Sequence, residues 1–432
     1  MAAPVVRLTG GSPIARGCAA ASRTVQRGAE AEPQLAADPA NPNRLVAAWQ
    51  QDRDTAAAAL STGVALSDDG GSTWRPVAVP GVTGCPAGLY DRASDPWLSI
   101  GPDGVAYLAT LQVRGRRQAT TRVLVSRSPD GGTTWAPPVV VGDLGGFEDK
   151  EMVAADPTRP GTAYAVWAHV ERGRPSAAMF SRTVDGGLTW SPPQPIYRPA
   201  GRRAPNGHQI VVTPGGALVD VFFEVGGGRS SLRIRAIRSD DQGATWSPPV
   251  GVGRASGIPV VDLPRRIPVR TGDVLPSAAV APGGEVLVTW QDAPSVRRGR
   301  ILLARSLDAG RTFEPPIRVG RARARPFTPV VAAGDAGIAV SYYDLRQDRR
   351  GDRHLTTTFW LAQSRDGGAT WSATPLGRPF DLLRAPRTGG ALFLGDYTGL
   401  VALPGGFGSA FVAARPLARG GRSDVFFDRV AG

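Results

Sequence analysis

The chain has 432 residues and a formal net charge of +13, from 50 Lys or Arg against 37 Asp or Glu. No apolar run approaches the roughly 18 residues that a membrane-spanning helix needs, so a helical span is excluded. Lys150 is the single lysine. The basic excess is therefore arginine without aromatic-interleaved basic stretches or a recognisable nucleic-acid module, and no nucleic-acid binding is expected.

In chain order, residues 1–30 read as an N-terminal arm and residues 31–432 as one domain. The domain opens with QLAADPANPNRLVAAW, ending at Trp49. This is a short apolar strand, a tight turn and a second strand. Matching hairpins follow around Tyr107 and at Trp167, Phe223, Trp290, Tyr343 and Phe411. Alternating short strands with Gly- and Pro-rich turns and no sustained helical period make the fold all-β.

Out of phase with these hairpins runs a second repeat, S/T-x-D-x-G-x-T-W/F. Its aspartates are Asp69, Asp130, Asp185, Asp241, Asp308 and Asp366, spaced by 61, 55, 56, 67 and 58 residues. That spacing is the size of a propeller blade. The Asp carboxylate can accept the N–H groups of a tight turn. The glycine two places on supplies a positive φ. The Trp ring forms an apolar plug between neighbouring sheets. The motif thus reads as a structural staple. Seven inner hairpins against six such turns predict a seven-bladed β-propeller, its last blade closed by an arm strand such as Val5–Leu8 or Ser22–Gln26. Six blades is the alternative.

In such a ring the loops between second and third strands share one face, opposite the Asp turns. Those loops carry seventeen arginines against eight acids, which favours an anionic ligand. The residues that enter each inner strand ring the channel mouth on that face. Asp95, Glu151 and Asp396 are the acid/base candidates there, with Tyr397 or Tyr343 as nucleophile. Arg53, Arg92 and Arg346 are candidate anion clamps, and Asp149, Lys150 and His208 are further binding candidates. Each reading competes with a hydrogen-bonded strand cap. No cofactor is expected. The three histidines are scattered over different repeats, so no metal site is expected either. Cys18 and Cys85 could bridge arm to ring in an exported protein, or stand as unrelated thiols. No signal-peptide apolar region precedes the arm, so a leader is read as absent or removed.

The six turns, with VAAWQQDR, YDRASDPW, SYYDLRQD and FLGDYTGL, resemble the bacterial sialidase-like (BNR, Asp-box) β-propellers. The resemblance implies a monomeric, secreted, exo-acting glycoside hydrolase on anionic, sialylated glycans or glycoproteins. The other reading is a non-catalytic propeller binding acidic glycans or proteins at its arginine face. True sialidases carry an Arg-Ile-Pro start on the first blade. Here Arg266, Ile267 and Pro268 stand before the fifth inner hairpin, and the first begins AEPQLAADP without that arginine.

Overall fold

The computed structural model describes residues 5–10, 12, 24–82, 91–115, 119–173, 175–201, 203–226, 232–272, 274–349, 351, 353–416 and 422–432. Among them there is no α-helix, and a single 3-10 turn spans Leu382–Arg384. Cys18 and Cys85 lie outside the described residues.

Successive four-stranded antiparallel ladders make up the chain. The first comprises Ala31–Ala37, Leu45–Arg53, Ala59–Ser67 and Arg75–Pro76. The second, Arg92–Ile100 through Val139–Gly142, joins it through an Ala59–Ala93 pairing. The innermost strands are Ala31–Ala37, Arg92–Ile100, Phe147–Ala155, Ala204–Val212, Ser277–Val280, Pro326–Gly334 and Gly399–Leu403. Each packs on the next, and Gly399–Leu403 packs back on Ala31–Ala37 to close the ring. In the last ladder, Gly399–Leu403, Gly406–Ala414 and Ser423–Ala431 are joined by Val6–Arg7, with Val6 opposite Phe427. The chain's beginning thus covers the edge that its end would expose.

One sheet stands apart from this scheme. Val260–Asp262 and Ile267–Arg270, from the linker before the fifth innermost strand, meet Ala391–Phe393 and Arg387–Thr388, from the linker before the last one. The joining pair is parallel, with Val269 opposite Leu392 and Arg270 opposite Phe393. The Arg266–Ile267–Pro268 tripeptide falls here, with Arg266 exposed at φ 56°.

All six Asp turns share one hydrogen-bond pattern. In the fourth, Asp241 accepts from Thr245 N at 2.8 Å and from Thr245 Oγ1 at 2.6 Å, and Ser239 Oγ accepts from Gly243 N at 2.8 Å. Gly243 has φ 85°, and a Cβ there would meet the Phe180 ring of the preceding sheet at 2.3 Å. Glycine is required by conformation and by close approach together. The adjoining Trp246 ring packs on Phe180 at 5.5 Å, and Trp74 packs on Phe427 of the last ladder at 5.3 Å. Each turn therefore fastens its sheet to the one before it.

The direction of the strands separates the two faces. Each innermost strand starts at the mouth and runs away from it, so the third-to-fourth-strand turns fall on the opposite face. Burial of the ring varies among the six. Trp135 is 7% exposed, whereas Trp190 is half-buried. Trp135→Ala should lower unfolding free energy by about 3–5 kcal/mol, and Trp190→Ala by less. Urea titration of both variants checks the order.

A second prediction concerns acid. Hydrogen bonds from Thr73, Thr245 and Thr370 hold the carboxyls of Asp69, Asp241 and Asp366 down to about 2. The unfolded value is about 3.9. Their contribution is present above that value and is lost as pH falls through about 2. The urea midpoint should drop between pH 4.5 and 2, and replacing the three threonines by valine should flatten that drop. An unchanged acid slope in the triple variant would refute the assignment.

Candidate active site at the channel mouth

The innermost strands share a local distortion where they enter the ring. Pairing register slips between Ala31 and Gln34, Ser94 and Trp97, Asp149 and Met152, Asn206 and Gln209, and Phe327 and Val330. Each slip is a two-residue bulge opened by a left-handed residue. These are Glu32, Asp95, Lys150, Gly207 and Thr328, with φ between 50° and 67°. Four of the five are not glycine, and each such conformation costs on the order of 1–3 kcal/mol. The bulge turns consecutive side chains toward the axis.

Lys150 occupies the centre. Its Nζ lies 2.7 Å from Asp396 Oδ2, 3.0 Å from Asp95 Oδ2 and 3.6 Å from Glu32 Oε1. An ammonium has three N–H donors on a compact charge, which suits three converging carboxylates better than a planar guanidinium does. Arg270, from the added sheet, completes the group with Nε to Asp396 Oδ1 at 3.0 Å and Nη2 to Oδ2 at 2.5 Å. Arg53 is buried beneath, donating to Gln50 Oε1 and to Thr388 Oγ1. Arg53 and Arg270 both lie against the Phe393 ring, at 4.5 and 5.0 Å from its centre. Gln50 donates in turn to Glu32, to Ser94 Oγ and to Asp95 Oδ1.

The acids titrate apart. Burial pushes Asp396 upward, but Lys150 and Arg270 more than reverse it and leave it far below the usual carboxylate range. Asp95 is likewise held down by Lys150 and Ser94 against its burial. Burial, with repulsion from Asp95, raises Glu32 to about 8. Burial and the same neighbour raise Glu151 well above its ordinary value. Asp149 is raised by burial and accepts from Asn206 Nδ2 at 2.9 Å. Carboxyls driven apart in one site supply an acid and a base at the same pH.

Below the mouth lies a cavity of about 250 Å³, lined by all the innermost strands. Trp97, Met152, Ile210 and Leu400 give it apolar walls, while Lys150, Glu151, His208, Asp396 and Tyr397 are its ionisable groups. Both carboxyl oxygens of Glu151 are buried without a protein partner. Buried polar atoms are nearly always paired, so such an orphan marks a place for a ligand or a proton.

Eight of the eleven sequence-derived residues come together here: Arg53, Asp95, Asp149, Lys150, Glu151, His208, Asp396 and Tyr397. Tyr397 donates to the Pro96 carbonyl at 3.0 Å, and its ring meets Trp97 edge-on at 5.3 Å. The other three lie elsewhere. Tyr343 is core: it stacks on Phe327 and packs at a tilt on Phe359, and its hydroxyl exchanges hydrogen bonds with the Val412 backbone at 2.9 Å. Arg346 turns outward onto Asp344, the Tyr342 hydroxyl and the Trp360 ring. Arg92 ties down the carbonyls of Ala57 and Gly115. These guanidinium groups brace loops and do not converge on one carboxylate position. Glu32, Arg270 and Asp220 belong to the site and went unread in the sequence.

No family model matches the sequence, and no curated protein is matched by it. Solved structures do match. The GH93 α-L-arabinofuranosidase of Fusarium graminearum aligns at TM-score 0.52 and 12% identity, over 100% of this chain and 98% of that one. The α-L-arabinanase of Penicillium chrysogenum aligns at 0.51 and 15%, over 99% and 98%. An ulvan lyase of polysaccharide lyase family PL25 aligns at 0.55 and 11%, over 94% and 95%. The chain shares its β-propeller fold with enzymes that act on glycans.

Removing the central cation would leave the buried carboxylates of Asp95 and Asp396 without their shared partner, beside a Glu32 already held toward the neutral form. Lys150→Met should cost about 3–5 kcal/mol at pH 7. The loss should shrink on acidification, because protonating Asp95 and Asp396 relieves their repulsion. Urea midpoints at pH 7 and pH 5 test this, and a deficit that grew in acid would contradict it.

Proposed function

We propose that this protein is a glycoside-cleaving propeller acting on an anionic glycan at the channel mouth, with Glu151 as the proton donor. The carrying observation is the orphaned Glu151 carboxyl, which burial pushes well above its ordinary value, on the wall of a cavity beside Lys150 and Asp396. A cavity of about 250 Å³ lies just under the usual range for small-molecule pockets, roughly 300–1,000 Å³. It suits one sugar unit, which supports exo attack. Arg270, whose side chain is 41% exposed at the mouth, is the group placed to meet a sugar carboxylate.

Sialic acid is the sugar that the sequence resemblance implies. The ulvan lyase of the same fold was solved bound to -[GlcA(1-4)Rha3S]-, another anionic glycan. Seven blades belong to this reading, supported by the ring of innermost strands and by the closing strand Val6–Arg7. A second reading, an acidic-glycan binder without turnover, is favoured by the exposed Arg114, Arg172, Arg297 and Arg298 on the mouth-side loops.

The test is release of fluorophore from an α-sialoside and of reducing ends from uronate-containing oligosaccharides. Turnover is expected, with Glu151→Gln lowering it by about 10²–10⁴-fold. Salt-sensitive binding without turnover would establish the binder instead.

A further inference from the structure

Beside the proton donor stands a second proton-handling group. Glu151 and His208 hold matched places on adjacent innermost strands, each directly after the left-handed residue, Lys150 at φ 52° and Gly207 at φ 67°. Contacts on either side bracket them. Asn206 Nδ2 donates to Asp149 Oδ2 at 2.9 Å, and Ile210 N reaches Met152 Sδ at 3.1 Å. Both side chains are buried at 2% exposure and line the same cavity. Both end in buried atoms without a protein partner: the two oxygens of Glu151 and Nε2 of His208.

The other ring nitrogen is committed. His208 Nδ1 lies 2.8 Å from Asp220 Oδ2, and the ring packs on Phe222 at 4.9 Å between centres. Asp220 is fully buried on the second strand of that ladder. A carboxylate on Nδ1 fixes the N–H there and leaves the Nε2 lone pair for the cavity. The other charged groups near His208 are Asp149, Lys150 and Glu151 on the preceding innermost strand. Across the mouth, Glu32, Asp95, Asp396, Arg270 and Tyr397 surround Lys150.

We propose that Glu151 and His208, side by side on the wall of the channel cavity, form an acid–base pair, and that the glycosidic bond is cleaved there by a single, inverting displacement. This rests on the glycan-cleaving reading. Water gives a proton to His208 Nε2 as its oxygen bonds to the anomeric carbon. The bond from that carbon to the leaving oxygen breaks, and the electron pair goes to that oxygen, which takes the Glu151 proton. The products are a free sugar of inverted anomeric configuration and an alcohol. Glu151 is left as carboxylate and His208 as imidazolium, and one proton passed back through solvent resets both. Asp220 is a positioning residue that orients the imidazole. A double displacement through Tyr397 would need a hydroxyl that is instead bound to the Pro96 carbonyl at 3.0 Å.

The experiment follows the first-formed anomer by proton NMR with whichever anionic substrate the wild type turns over, and records pH–rate profiles for His208→Gln and Asp220→Asn. Expected are an inverted product, a loss of about 100-fold or more in His208→Gln with the acid limb of kcat/KM abolished, and a shifted limb with nearly unchanged KM in Asp220→Asn. A retained anomer, or a His208→Gln enzyme with the wild-type rate and profile, overturns the pair and leaves the glycan-cleaving function standing. If His208→Gln does not fold, the near-isosteric Asp220→Asn carries the same decision. If the wild type cleaves nothing, the functional reading falls by itself. The pair is then judged by the ¹⁵N shifts of neutral His208, which should report the proton on Nδ1 and a bare Nε2. A proton on Nε2 overturns it.

Discussion

One ammonium group holds the mouth of this ring together. Lys150, from the third ladder, is bonded to acids of the first, second and last: Glu32, Asp95 and Asp396. Charges this deeply buried are costly unless each has a partner with good geometry. Glu32 and Asp95 cannot relax outward, because they are left-handed bulge residues whose backbone is fixed by the flanking strand pairs, and Asp396 is held by Arg270 as well. The ring positions the acids, the acids hold the lysine, and the lysine fixes which acids are ionised. In a chain with 50 basic residues and one lysine, that lysine stands where a three-pronged point charge is needed.

The backbone strain has the same address. Non-glycine residues at positive φ number nine among the described residues, and four of them are the bulge residues Glu32, Asp95, Lys150 and Thr328. Strain concentrated at one place on a scaffold persists only where the surroundings over-determine it. Here the surroundings are the inter-sheet contacts that the Asp turns fasten on the far face. Stability is built at one end of the channel, and the strained, charged geometry at the other end depends on it.

Much of this was legible in the sequence, for physical reasons. The Asp turns repeat because each needs an acceptor, a positive-φ glycine and a plug at fixed offsets, and those demands leave a spelling. Asp95, Lys150, Glu151, His208, Asp396 and Tyr397 are legible because each stands where the chain enters an inner hairpin. Arg92, Arg346 and Tyr343 were misplaced because exposure of a loop says nothing of which acid or carbonyl its side chain will find. Arg270 was hidden by non-local pairing: its strand meets Ala391–Phe393 in parallel across more than 100 residues, and no local pattern encodes that. Glu32 leaves no local signal, because an acid beside the proline of AEPQ reads as an ordinary strand entry. Asp220 did leave a signal, a lone acid inside the apolar run LVDVFF. A buried carboxylate in a strand implies a buried partner, and His208 is that partner.

The charge of the molecule divides between two roles. The mouth's cations, Lys150, Arg53 and Arg270, are matched by Asp95 and Asp396 as ionised acids, since Glu32 and Glu151 are held toward the neutral form. The site itself is therefore only mildly positive and pre-paired, and it gains little from a distant anion. The long-range field comes instead from rim arginines such as Arg297 and Arg298, which lie in water within reach of screening salt. Attraction of an anionic chain is thus a surface property that salt can weaken. The proposed proton transfer would belong to buried groups of the channel, which salt screens less than the rim, so the two could be altered separately.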